Sequence, residues 1–281
     1  MTNAYVDLAL IKSPGGLNLA TGTAYDTRLR TITEAISREA DRYTNRHFFY
    51  SVDTLNFDGN GKTELDVPDL ISIGTLLEDT NYDGTFETTW ASTDFILYPR
   101  NAGPTSTHIA EPYTYIKVSD LSNSTQDIFL RGLSNYRIAG TWGYSKITHT
   151  SGLAGTLADG TTTNLVLSGS ATGNIEIGHT LLINDELVYV TGITTGTLAT
   201  VRRSINGSTG TIHLGQAVNV IDYPGPVTEA VFIQLSRLWR RKDSGFASQV
   251  GMPETGMMMS WRGSLDPDVK TLLASYRKLI V

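Results

Sequence analysis

The spacing of apolar residues changes several times along the chain. A short apolar run at 5–12 reads as about two helical turns and is stopped by Ser13-Pro14-Gly15-Gly16. Leu29, Ile32, Ala35, Ile36, Ala40 and Tyr43 then recur every three or four residues and predict a helix over about 25–45. Thr23 and Asp26 form the T-x-x-D pattern of a capping box at its start, and Glu34 and Arg38 stand four apart on its polar side. From 47 to 142 the period shortens to that of strands, predicted at 51–57, 70–78, 113–118 and 136–142. Turn signals separate them, among them Asp58-Gly59-Asn60-Gly61, Asp83-Gly84 and Asn101-Ala102-Gly103-Pro104.

Between about 145 and 222 charge becomes sparse and Gly, Thr and Ser dominate. Short strands are predicted at 164–168, 180–183, 187–193, 198–202 and 217–221, as a small β-barrel or β-sandwich. Helix resumes directly afterwards, so this module reads as inserted into a host domain. The expected division is a core of 1–144 and 223–281 with an inserted β-rich module at 145–222. Gly225-Pro226 opens a helix with Val227, Val231, Phe232, Leu235, Leu238 and Trp239 on its apolar face and Arg240, Arg241 and Lys242 at its end. A Gly/Met loop covers 245–259. Asp266-Pro267-Asp268 then caps a last helix with Val269, Leu272, Leu273, Tyr276, Leu279 and Ile280 on one face. The fold class is α+β.

Composition narrows the function. A net charge of -6 argues against binding driven by phosphate contacts. The absence of Cys removes disulfides, thiolate metal sites and thiol nucleophiles. The opening residues do not read as a secretory signal, because the apolar run is short and Asp7 interrupts it, and no stretch is apolar for long enough to cross a bilayer. The five His show no metal-ligand spacing, and neither a nucleophile elbow nor a phosphate-binding loop is present, so no enzyme is expected.

Three features carry candidate chemistry. Asp79, Asn81, Asp83 and Glu87 place oxygen ligands at alternate positions around Gly84, as in the first half of a calcium loop. The twelfth position is Trp90 instead of Glu, so the same residues also read as an acidic hairpin turn, and calcium is the one cofactor left open. Arg237, Arg240, Arg241 and Lys242 suit DNA or an acidic partner, but cations are also favoured at a helix C-terminus. Met257, Met258, Met259 and Trp261 form a Gly-interrupted apolar stretch fit for an adaptable protein contact or for folding back on the core.

Three segments together resemble the head-to-tail connector (adaptor, head completion) proteins of tailed bacteriophages. They are ITEAISREADRYTNRHFF at 32–49, the run at 54–97 with its Leu-x-Val-Pro-Asp-Leu-Ile-Ser step and Trp90-x-x-x-Asp94-Phe95, and the Leu-Trp-Arg-Arg-Lys helix followed by Leu265-Asp266-Pro267-Asp268-Val269. The module at 145–222 departs from the compact connector pattern but is similar to small β domains of phage structural proteins. The resemblance implies a small helical bundle with a β extension. It also implies a homo-oligomeric ring, commonly twelve-fold, docked under the portal protein in the virion neck after assembly in the host cytoplasm. Such a ring offers the tail or a tail-completion protein a platform and lets DNA pass without sequence-specific binding, away from any membrane. Surplus apolar surface on the last two helices would then pack between copies and against the portal, giving Trp239, Arg240, Arg241, Met257, Met258, Met259, Trp261, Leu272, Tyr276, Leu279 and Ile280 as interface candidates. A β-rich tail or adhesin module binding host carbohydrate, with calcium at the acidic loop, is the competing expectation, and a cell-wall hydrolase a third.

Overall fold

The computed structural model describes residues 3–19, 22–103, 111–120, 124–242, 249–252, 257–260 and 265–278. The fold is α+β with more strand than helix, and it divides into two compact units.

The helical unit takes Met1–His47, Glu176–His179 and Tyr223–Val281. Helix α1 (Leu8–Lys12) is capped by Asp7, whose Oδ1 accepts from the Leu10 N–H at 2.7 Å. Helix α2 (Asp26–Thr44) buries Leu29, Ile32, Ile36 and Ala40 of the predicted face, while Tyr43 is half-buried and Ala35 is exposed. Its buried face also holds Thr33, Ser37 and Thr44, whose hydroxyls donate back to the carbonyl four residues earlier at 2.8–2.9 Å. The expected capping box does not form. The helix starts at Asp26 with Tyr25 at the cap, and the Asp26 carboxylate instead pairs with Lys12 Nζ at 2.8 Å. A full cation within reach outcompetes a neutral backbone amide for a carboxylate.

Helix α3 (Gly225–Arg241) has Pro226 in its first turn and buries Val227, Ala230, Val231, Leu235 and Trp239. Helix α4 (Pro267–Ala274) is capped by Asp266, which accepts from the Asp268 N–H at 3.0 Å, and buries Val269 and Leu273. It ends earlier than its apolar spacing suggests, and Leu279 and Ile280 lie outside the described residues. Helix α3 packs on both α2 and α4, and the chain after α4 returns to α2 through Lys278 N–H to Thr44 O at 2.7 Å. The segment at 176–179 joins this unit, with Ile177 O accepting from Leu8 N–H at 3.0 Å. The expected Gly/Met loop contains a two-stranded hairpin at 249–252 and 257–260.

The β unit takes Phe48–Ile175 and Thr180–Asp222. Its sheet runs β1 (Ser51–Gly59), β6 (Gly132–Trp142), β2 (Glu64–Glu78), β5 (Tyr113–Val118), β4 (Phe95–Tyr98), with β3 (Thr88–Thr89) on β2. Strand β2 starts six residues before the predicted strand and runs through Pro68. Proline has no N–H for the ladder, and the β2–β5 register shifts between Asp66 and Leu70 to accommodate it.

The second part is a closed six-stranded barrel, in the order β10 (Glu186–Thr195), β11 (Leu198–Arg202), β8 (Asn164–Leu167), β7 (Lys146–Leu157), β12 (His213–Asp222), β9 (Thr180–Ile183). Leu157, Leu165, Ile183, Val188, Val201 and Val218 are among the side chains filling it. The module is thus a barrel and not a sandwich. The sheet belongs with this barrel, whereas composition groups it with the helices. The turn after β11 docks on the edge of β1: Asn206 O accepts from Val52 N–H at 2.8 Å and Asn206 Nδ2 donates to Tyr50 O at 2.9 Å. Gly207, at φ +83°, permits this approach, since a Cβ there would lie 2.0 Å from Val52 O.

Candidate functional site

The acidic loop at 79–87 connects β2 to β3. Asp79 is buried at the end of β2, and its N–H donates to Asn135 O at 2.9 Å. Its Oδ1 accepts from Tyr82 N–H at 2.7 Å and its Oδ2 from Gly84 N–H at 2.8 Å. Asn81 accepts from Asp83 N–H, Asp83 from Thr85 N–H, and Glu87 from Thr80 N–H at 2.7–3.2 Å. Hydrogen bonds from the Thr85 side chain and backbone hold the Asp83 carboxyl below its usual range. One oxygen from each of Asp79, Asp83 and Glu87 lies within 4.8 Å of the others. Three converging carboxylates suit a divalent cation, while the same oxygens already serve as acceptors that shape the turn.

Beneath the loop, Glu78 is buried among aromatic rings. Its Oε2 accepts from Trp90 Nε1 at 2.8 Å and its Oε1 from the Tyr136 hydroxyl at 2.6 Å. Trp90 stacks on Phe129 at 4.8 Å. Burial first, and the Glu78 carboxyl second, push the Tyr136 hydroxyl far above its ordinary pKa. Asp94 accepts from the N–H groups of Ala91 and Thr125, both at 2.8 Å. Burial would raise its carboxyl, but these bonds outweigh it and the net direction is down. Trp90 and Asp94, prominent in the sequence pattern, therefore hold the sheet's end together.

A further charged cluster has no sequence signal. Glu186 is fully buried at one end of the barrel. Its carboxylate accepts from Arg203 Nε at 2.8 Å and Nη2 at 2.5 Å, from Thr211 N–H at 3.1 Å and from His213 Nε2 at 2.8 Å. Arg203 also donates to Asp159 O and Thr211 O, so three connections are tied at one point. Its residues are separated by up to tens of positions, and only barrel closure brings them together. Glu186 and His213 are buried, while Asp159 and Thr211 lie at the surface.

The interface candidates are distributed unevenly. Trp239 is buried, with its ring edge-on to Tyr25 at 5.4 Å and Lys242 Nζ 5.0 Å from its centre. Arg240 is exposed, and Arg241, Leu272 and Tyr276 are half-buried. Arg237 pairs with Asp266 and with Asp268. Met257, Met258 and Met259 form the second strand of the hairpin, and Trp261, like Leu279 and Ile280, lies outside the described residues. Among the described residues, large exposed apolar side chains are absent from α3 and α4. They occur at one end of the sheet (Tyr82, Ile128, Leu130, Leu133), on the barrel (Val166, Ile212, Leu214), on β1 (Val52), and in the helical unit at Leu10 and Tyr25. On α3 and α4 the apolar side chains Phe232, Leu238, Leu272 and Tyr276 are half-buried, and Val227, Leu235, Val269 and Leu273 are buried.

A cavity of about 460 Å³ lies beside α1, where Lys12 Nζ is held by Asp26 and by Gly22 O at 2.7 Å. Compared with known protein families, known proteins and solved structures, the chain has no match.

Proposed function

We propose that the chain is a structural subunit of a tailed-bacteriophage neck, an adaptor whose copies close into a ring between the portal and the tail. The observation carrying this reading is that two likeness segments far apart in sequence, 32–49 and 230–242 with 265–269, cover most of α2 and α3 and the start of α4, helices that pack on one another. The segment at 54–97 supplies most of β1, all of β2 and β3, and β4 up to Leu97. Further support comes from the buried carboxylates. Glu78, Asp94 and Glu186 each have both oxygens committed to donors of the fold, which suits a scaffold better than a reaction centre. A net charge of -6 suits a channel that DNA passes without adhering.

Function is then assembly. Copies meet head to tail, and the ring closes when each contact turns by the right fraction of a circle. Many weak contacts to portal and tail add through avidity. The test is negative-stain imaging of the protein mixed with isolated portal rings. A second annular layer is expected, and portal rings that stay bare at saturating protein would overturn the reading. The acidic loop favours one other reading, a calcium-dependent glycan-binding module. Glycan-array binding that disappears on chelation would put that reading first.

A further inference from the structure

The densest group of exposed apolar side chains lies at one end of the sheet. Tyr82, 56% exposed, and Leu133, 87% exposed, stand there with Ile128 and Leu130. They come from two places, the acidic loop and the segment that leads into β6 together with its first residues. The Tyr82 hydroxyl joins the two by donating to Arg131 O at 2.9 Å. Its ring lies over Gly132, where a Cβ would come within 2.5 Å of it.

Both places are held firmly. Asp79 fixes the backbone at Tyr82 and at Gly84. Asp58 accepts from Ser134 N–H at 2.6 Å, and Asn135 both accepts from Gly59 N–H at 2.8 Å and donates to Leu130 O at 3.0 Å. Phe129 is buried between the exposed Ile128 and Leu130. A backbone already held in place loses little freedom on docking, and aromatic anchors such as Tyr82 concentrate contact energy.

Charge selects the occupant. The tip carries exposed Asp58, Asp83, Glu87 and Asp127 against Lys62 and Arg131. Each copy has a net charge of -6, so copies approach favourably only where an acidic surface meets a basic one. The longest run of cations in the chain is Arg240-Arg241-Lys242 at the end of α3, where Arg240 and Lys242 are exposed. A tip-to-tip contact would set Asp83 and Glu87 against like charges. A head-to-tail contact avoids this, and it is the kind that closes rings.

We infer that the acidic apolar tip around Tyr82 and Leu133 docks on the basic end of α3 of a second copy. The inference rests on the ring-forming reading and names its contact. The chain has no Cys, which permits a direct test. Leu133→Cys and Arg240→Cys are made singly and together and oxidised mildly, with folding checked by circular dichroism. The double variant is expected to give a ladder of disulfide-linked multimers on a non-reducing gel, and each single variant dimers at most. Reversing Asp83 and Glu87 to Lys in the double-cysteine chain should suppress the ladder several-fold, and adding Arg241→Glu and Lys242→Glu should restore it. No ladder, or a disulfide closed within one copy, would overturn the inference. Portal imaging of the unmodified protein separates the two ideas. An annulus without a ladder sinks this contact and leaves the ring, whereas a ladder without an annulus keeps the contact and sinks the portal adaptor.

Discussion

Glu186 is the most heavily coordinated side chain of the β unit, and its contribution is measurable. Glu186→Ala would leave Arg203 buried without its counter-charge and His213 without its hydrogen-bond partner, a loss expected to cost about 3–5 kcal/mol in urea unfolding. Burial alone would raise the Glu186 carboxyl, but bonds from Arg203, Thr211 and His213 outweigh it and hold it below its ordinary value of 4.5. A carboxyl depressed by folding stabilises the native state above its unfolded pKa, and the contribution is lost as pH falls through the folded value. Melting temperature should therefore drop in acid below that ordinary value, and less steeply in Glu186→Gln. Asp79 is the second testable residue. Asp79→Ala strips acceptors from Tyr82 and Gly84 and should cost about 1–3 kcal/mol. Both its oxygens are already engaged, so calcium is expected to leave the wild-type melting temperature unchanged. A rise at millimolar calcium would assign the loop to a cation. Tyr82 sits at φ +61°, a conformation rare for a bulky side chain, and no pattern of residue types announces that.

Among the elements, those with a strong apolar period were legible from sequence. The helix opened by Gly225-Pro226 and the strands at 113–118, 180–183 and 198–202 lie where their spacing predicts. Strand β7 was not. Its described inward positions run Ser151, Leu153, Gly155 and Leu157, so large apolar side chains fall four apart and the alternation is broken. The barrel needs small residues there. A Cβ on Gly155 would lie 2.7 Å from Val218 Cγ2 and 2.8 Å from Leu165 Cδ1. Gly155→Ala should thus cost about 1–3 kcal/mol by overpacking, read as a lower melting temperature of the β unit. Helix α4 offers a milder test. Asp266→Ala removes both its cap and a partner of Arg237, and a loss of about 1 kcal/mol is expected, confined to the helical unit.

At the scale of the molecule, two compact units predict two separable unfolding events. Hydrogen exchange should show Glu186→Ala lowering protection in the barrel while α2 and α3 keep theirs. Uniform loss across both units would mean one cooperative body. The acidic loop and the basic end of α3 could be named from sequence, because charge runs and turn residues are local signals. The Glu186–Arg203–His213 cluster, the aromatic cage of Glu78 and the exposed tip could not, because each joins residues that meet only after strands pair. Residue order and polarity determined the α+β class, most elements and a small β module of barrel or sandwich type, since local period and turn chemistry act over a few residues. Closure of that barrel, its union with the sheet and the burial of the helices' apolar faces were decided only in three dimensions. The physical reason is that competition for a buried face or a counter-charge is settled between segments distant in the chain.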